Sequence, residues 1–305
     1  MLATEVWQAL IGRRSVQSNH RLSELLREEL SFEVALARAQ ADPFTQADYR
    51  ALEDALFQVF VSMDREIARL HQDVNRYLVN ELLWQFWGSL GNFDAAYMFT
   101  LNQDLWPERY FDALNPFGAA GPTLPGLQPR PGHQSFMGDA GPYNDSFVMQ
   151  PATDPAATSQ LRRSFNIIKL HGAFNWRTAD GRNAMVVGAG KYGQIAESPL
   201  LSWYFDIFKR VLCSGSVRLM IVGYGFGDDH INAVIADAVE NHALKVFIWN
   251  TDNALEDRVQ REKHGASIWK GLLSTATRQM IDVFPTKQVV TEEYRRIVQT
   301  MFGRN

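Results

Sequence analysis

Three apolar runs of strand length, Phe165-Asn-Ile-Ile-Lys-Leu170, Val217-Arg-Leu-Met-Ile-Val222 and Leu244-Lys-Val-Phe-Ile-Trp249, are separated by two stretches of helical periodicity, about Leu200 to Leu212 and Asp228 to Asn241. Short continuous apolar runs suit strands buried on both faces. Their alternation with helices demands parallel pairing, because a parallel connection must cross over and a helix is the usual way to do so. The expected fold class is therefore α/β, built on a parallel sheet. A fourth run, Ala95-Ala-Tyr-Met-Phe-Thr-Leu101, also reads as a buried strand and ends at Asn102.

The first 90 residues read differently. Apolar residues recur at helical spacing in Leu22, Leu25, Leu26, Leu30 and again in Ile67, Leu70, Val74, Leu78, Leu82. Breaks are expected at Gly12 to Asn19 and at Asp42-Pro43, where Thr45 with Asp48 has the spacing of a helix cap. From Asn115 to Ser164 no period is sustained and 8 of the 12 prolines are found, so this segment is expected to be a long excursion beside the functional site. The expected organisation is one domain over 1–305: a helical part at 1–90, a core at 91–285 with its loop at 115–164, and a C-terminal helix at 286–305.

Thirty Lys and Arg against 34 Asp and Glu give a net charge of −4, so direct nucleic-acid binding and adsorption to acidic lipid are not expected. No run approaches a membrane span, and Cys213, the single cysteine of the sequence, can form neither an intrachain disulfide nor a four-cysteine zinc ribbon. A reducing cytoplasm is the expected location, and no metal is expected.

In parallel α/β sheets ligands bind beyond the carboxyl ends of the strands. Four places qualify: Asn102-Gln-Asp104, His171-Gly172, Gly223-Tyr-Gly-Phe-Gly-Asp-Asp-His230 and Asn250-Thr-Asp252. Asn102 or Asp104 could equally cap the next helix. His171 is a general-base candidate, with Gly172 admitting close approach. The glycines at 223, 225 and 227 do not form G-x-G-x-x-G, although their N–H groups can hold oxygens. Asp228, Asp229 and His230 read as a helix start rather than a metal cluster. Asn250 to Asp252 suits a ribose or an ordinary N-cap. The aromatic groups Trp84, Phe86, Trp87 and Trp203, Tyr204, Phe205 read as core or subunit contacts.

Taken in order, Thr100-Leu-Asn-Gln-Asp104, Lys169-Leu-His-Gly-Ala-Phe-Asn-Trp176 and Ile221-Val-Gly-Tyr-Gly-Phe-Gly-Asp-Asp-His-Ile-Asn232 resemble three motifs of the bacterial sirtuin-like (Sir2-like) NAD hydrolases of antiphage defence. The resemblance implies a Rossmann-like sheet with extra N-terminal helices and no zinc module. It places Asn102 and His171 at the family's catalytic Asn and His, and Asp104, Gly172, Gly223, Tyr224, Gly225 and Asn250 around NAD. It implies cleavage of the nicotinamide–ribose bond, a homo-oligomer, and a controlling partner such as a HerA-type ATPase. The family opens with a strand and a Gly-Ala-Gly-x-Ser phosphate loop, and Met1 to Leu10 resembles the helix that follows it, so the chain is expected to start downstream of that loop. Two further readings are a catalytically silent NAD- or ADP-ribose-binding subunit of a defence complex, and a plain scaffold.

Overall fold

The computed structural model describes residues 3–29, 32–41, 43–70, 95–111, 123–135, 142–159, 161, 165–188, 190–252, 254–283 and 291–302. The chain divides into two compact units, one of residues 1–73 and 94–204, the other of 74–93 and 205–305.

The first unit begins with helices α1 (Ala3–Ile11), α2 (Arg14–Gln17), α3 (His20–Glu28), α4 (Phe32–Ala39) and α5 (Gln46–Leu70). The break expected at Gly12 to Asn19 thus itself contains one short helix. A further break separates α3 from α4, where Glu29 is extended although neither Gly nor Pro stands there. Arg38 of α4 bridges it by pairing with Glu28 and Glu29. The cap before α5 forms as its spacing predicts: Thr45 Oγ1 accepts the Asp48 N–H at 3.2 Å, and Asp48 Oδ2 accepts the Thr45 N–H at 2.9 Å. Asn19, the largest influence, and Thr45 donate to the Asp48 carboxyl and hold it down at about 2. The helical reading of 71–90, including Val74, Leu78, Leu82, Trp84, Phe86 and Trp87, lies outside the described residues.

Strand β1 (Ala96–Thr100) is followed by α6 (Trp106–Phe111) and pairs in parallel with β4 (Phe165–Lys169), Ala96 opposite Phe165 and Thr100 opposite Lys169. Every residue of β4 is buried, as the continuous run requires. Its one amide, Asn166, is satisfied by Thr123 Oγ1 and the carbonyls of Ala96 and Leu161. The long excursion is not wholly irregular, because β2 (Leu127–Pro129) and β3 (Met149–Pro151) pair antiparallel within it. Backbone pairing supplies an order there that hydrophobic periodicity does not announce. Helix α7 (Lys191–Glu197) follows, and the division between the units falls within α8 (Pro199–Leu212).

The second unit carries β5 (Arg218–Val222), α9 (Asp229–His242), β6 (Lys245–Trp249), α10 (Leu255–Arg261), α11 (Gly265–Lys270), β7 (Leu272–Ala276), α12 (Met280–Val283) and α13 (Glu292–Phe302). Its sheet has the order β5-β6-β7, all parallel. β7 is not marked by the sequence pattern, since Leu-Leu-Ser-Thr-Ala is neither continuously apolar nor alternating. Phe247, Trp249 and Ala276 form a core with Tyr294, Ile297 and Met301 of α13. The expected helix at 286–305 is seen as Glu292–Phe302; residues 284–290 and 303–305 lie outside the described residues. No described helix is long and apolar enough to cross a membrane.

Two buried ion pairs organise the first unit. Arg109 Nη2 donates to both carboxylate oxygens of Asp64 at 2.8 Å, each side chain 2% exposed, and Asp64 Oδ2 also accepts the Tyr143 N–H at 2.8 Å. The neighbouring Glu108 lies 3.2 Å from Lys169 Nζ. Burial pushes the Glu108 carboxyl up, and the Lys169 ammonium draws it back. Replacing Asp64 by Ala would leave the Arg109 charge buried without this partner. We expect a loss of about 3–5 kcal/mol in urea unfolding, and a smaller loss when Arg109→Met accompanies Asp64→Leu. At the end of α9, Leu244 N donates to Ala238 O at 3.1 Å while Ala243 takes φ 57°, the turn that normally uses glycine. Ala243→Gly should therefore raise unfolding stability by about 1 kcal/mol.

Candidate functional site

In the first unit the candidate residues stand at two neighbouring strand ends. Because Thr100 and Lys169 are register partners, Asn102 and His171 each lie two residues beyond the paired ladder. Leu170 N donates to Thr100 O, and Phe174 N to Gln103 O, both at 3.0 Å, so the two turns are joined through their backbones. Asn102 is exposed, whereas His171 is 1% exposed. Asp104 is buried, and its Oδ1 accepts the Trp106 N–H at 2.9 Å. Its carboxylate thus caps α6, the structural role weighed from sequence.

Gly172 has φ +71°, and a Cβ there would stand 2.3 Å from Ala184 O. Both the backbone conformation and the adjacent main chain demand glycine. Directly after it, Phe174 packs against α5: its ring stacks on Phe60 at 5.8 Å and meets Tyr143 edge-on at 5.0 Å. The N-terminal helices therefore support the segment that carries His171. Lys169 Nζ donates to Asp104 O as well as pairing with Glu108, tying the end of β4 to the turn after β1. Sequence reasoning passed over Lys169, Glu108, Arg109 and Asp64. The available signal was a lysine inside an otherwise apolar strand run, which needs a buried counter-charge.

In the second unit, the Gly223 N–H donates to Trp249 O at 2.9 Å, and Asn250 Nδ2 donates to Tyr224 O at 3.0 Å. The ends of β5 and β6 are thereby fastened together. Asn250 Oδ1 accepts the Asp252 N–H at 3.0 Å, and Asp252 Oδ1 accepts from Ala254 N at 2.9 Å, opening the turn into α10. The Tyr224 hydroxyl lies 3.0 Å from Asn232 Oδ1 and accepts the Asp228 N–H at 3.2 Å. Burial pushes that hydroxyl's pKa up. Buried Asn232 also donates to Phe226 O at 2.6 Å, holding Phe226 at φ 59°. Gly223, Gly225 and Gly227 are exposed, with open space where a Cβ would stand. Asp228 is the N-cap residue of α9 and Asp229 its first residue, as the helix-start reading expects. Among the aromatic groups, Tyr204 is fully buried and donates to Pro125 O at 2.6 Å.

Two of the left-handed glycines, Gly172 and Gly223, allow a controlled comparison. Gly223→Ala meets only the conformational cost, about 1–2 kcal/mol, whereas Gly172→Ala meets that cost and the Ala184 carbonyl. Urea unfolding should show the larger loss for Gly172→Ala.

A family model for the SIR2-like domain matches residues 133–270. No curated protein matches the chain. The match spans His171, Gly172, the 223–230 loop and Asn250, while Asn102 and Asp104 precede it. Parallel strands alternating with helices agree with the Rossmann-like architecture of such a domain. Residues 133–270 are thus similar to the SIR2-like domain.

Proposed function

We propose that this protein is an NAD glycohydrolase, which cleaves the bond between nicotinamide and ribose and so drains NAD in antiphage defence. The observation that carries the reading is His171, set in the SIR2-like match at the end of a fully buried parallel strand and followed by a turn only glycine can make. Asn102, an exposed residue, stands at the end of the adjacent strand.

The chemistry needs few groups. Nicotinamide leaves as a neutral molecule from a cationic ring, taking the electron pair of the C1′–N bond, so no strong general acid is required. The barrier lies in an oxocarbenium-like ribose. Asn102 orients ribose hydroxyls or the attacking water, and His171 accepts the proton which that water loses as its oxygen bonds to C1′. The products are nicotinamide, ADP-ribose and a proton. Gly172 lets the Ala184 main chain close against the His171 turn and so fixes it, and Asp104 keeps the Asn102 turn on α6. Gly223, Tyr224, Gly225 and Asn250 serve the adenosine end, with the exposed Gly225 on the turn after β5. Asn250 acts there through the Tyr224 main chain that it holds. The protein works in the cytoplasm as a homo-oligomer, held in check by a separate partner such as a HerA-type ATPase.

The 1% exposure of His171 favours a second reading, an NAD- or ADP-ribose-binding subunit without turnover. Nicotinamide release from NAD separates the two. The hydrolase reading expects release by the protein in its defence complex, falling at least roughly 100-fold in His171→Ala and in Asn102→Ala. Tight nucleotide binding with no release, or full activity in His171→Ala, would overturn it.

A further inference from the structure

Away from the strand ends, the second unit brings a thiol, a carboxylate and an imidazole to one place. Cys213 follows the last residue of α8, while Asp237 and His242 lie on the final turns of α9. One potential ligand atom from each lies within 4.8 Å of the others. Cys213 Sγ stands 3.7 Å and His242 Nε2 4.0 Å from the same oxygen, Asp237 Oδ2. We propose that Cys213, Asp237 and His242 form a three-ligand site for a thiophilic divalent cation of the zinc class.

The spacing suits such an ion. Bonds of about 2.3 Å to sulfur and 2.0–2.2 Å to nitrogen and oxygen put tetrahedral ligand atoms about 3.3–3.6 Å apart. The two separations to Asp237 Oδ2, 3.7 and 4.0 Å, require closure by at most about 0.7 Å, and the sulfur and the imidazole nitrogen lie within 4.8 Å of each other. The other Asp237 oxygen, Oδ1, accepts from Asn241 Nδ2 at 2.7 Å. That bond leaves Oδ2 for a metal and fixes the carboxylate's direction, as outer hydrogen bonds do in established metal sites. Thiolate, imidazole and one carboxylate select zinc-like ions over magnesium or calcium.

Electrostatics on the scale of the fold act in the same sense. Cys213 and His242 stand at the carboxyl ends of two helices of 14 residues each, where the helix dipoles favour positive charge. The three residues line an open groove of about 530 Å³ with Asp206, Lys209, Arg210 and Ser214. Lys209 and Arg210 oppose a cation, and Asp206 offsets one of them. The groove leaves a fourth position open to water. Burial, with Asp237 beside it, now pushes the Cys213 thiol up. A bound cation would reverse that balance, forming the metal–sulfur bond as the thiol proton passes to solvent.

Cobalt(II) is the probe of choice, since its thiolate charge-transfer absorption can arise only from Cys213 in a sequence with one cysteine. Titration of the full chain, kept reduced with a phosphine, should give that band at one cobalt per chain, and zinc should erase it. Cys213→Ser should abolish the band. His242→Ala and Asp237→Asn should each weaken cobalt binding at least tenfold, and Asn241→Ala by about tenfold or more, with thermal melts showing that each variant is folded. No band in the unaltered protein, a band unchanged in folded His242→Ala and Asp237→Asn, or a band that appears only with cobalt-driven dimerisation would overturn the site.

Discussion

Helix α6 is held from both sides by adjacent opposite charges, and the first unit depends on that arrangement. Glu108 pairs with Lys169 at the end of β4, and Arg109 forks onto Asp64 of α5. These are buried groups, so each pair replaces water by a single geometry rather than by a range of them. The consequence is positional. α6 begins directly after Asn102 to Asp104, and Lys169 stands two residues before His171, so one pair of charges bears on both candidate turns. Asp64 reaches further still, taking the Tyr143 N–H from the long excursion.

The second unit uses neutral hydrogen bonds for the same purpose. Asn232, buried on α9, holds Phe226 and Tyr224, and Asn250 holds Tyr224 from the end of β6. A glycine-rich turn left to itself would sample many conformations, at a cost in entropy to any ligand that had to order it. Here side-chain amides pay that ordering cost in advance, while the glycines themselves stay exposed. Asn232 and Asn250 thus matter through the backbone they constrain.

Residue pattern announced much of this. The continuous apolar runs ending at Leu101, Leu170, Val222 and Trp249 correspond to β1, β4, β5 and β6, and the Thr45–Asp48 spacing corresponds to a formed cap. β4 and β6 are buried along nearly their whole length, whereas β1 and β5 are only partly buried and are conspicuous through apolar composition alone. β7 was silent because its Leu-Leu-Ser-Thr-Ala is neither continuously apolar nor alternating, and β2 and β3 because three-residue strands are too short to show a period. The break after Glu28 has no Gly or Pro to mark it. Among the site residues, positions at strand ends were legible for Asn102, His171, Gly223 and Asn250, whereas their neighbours' charges were not.

The sequence by itself determined the local elements, the parallel α/β class and the glycine-bearing turns at the strand ends, because each rests on hydrophobic spacing or on backbone freedom within a few residues. Only the tertiary structure decided that Asp104 would cap a helix, that Asn250 would fasten a loop, that Lys169 would find Glu108, and that Cys213 would meet Asp237 and His242. Those outcomes depend on which groups are brought together across separations of 2 to 61 residues, and on which are removed from water when they meet. Hydrophobic pattern names the buried faces; it does not say which polar partner a buried charge will be given.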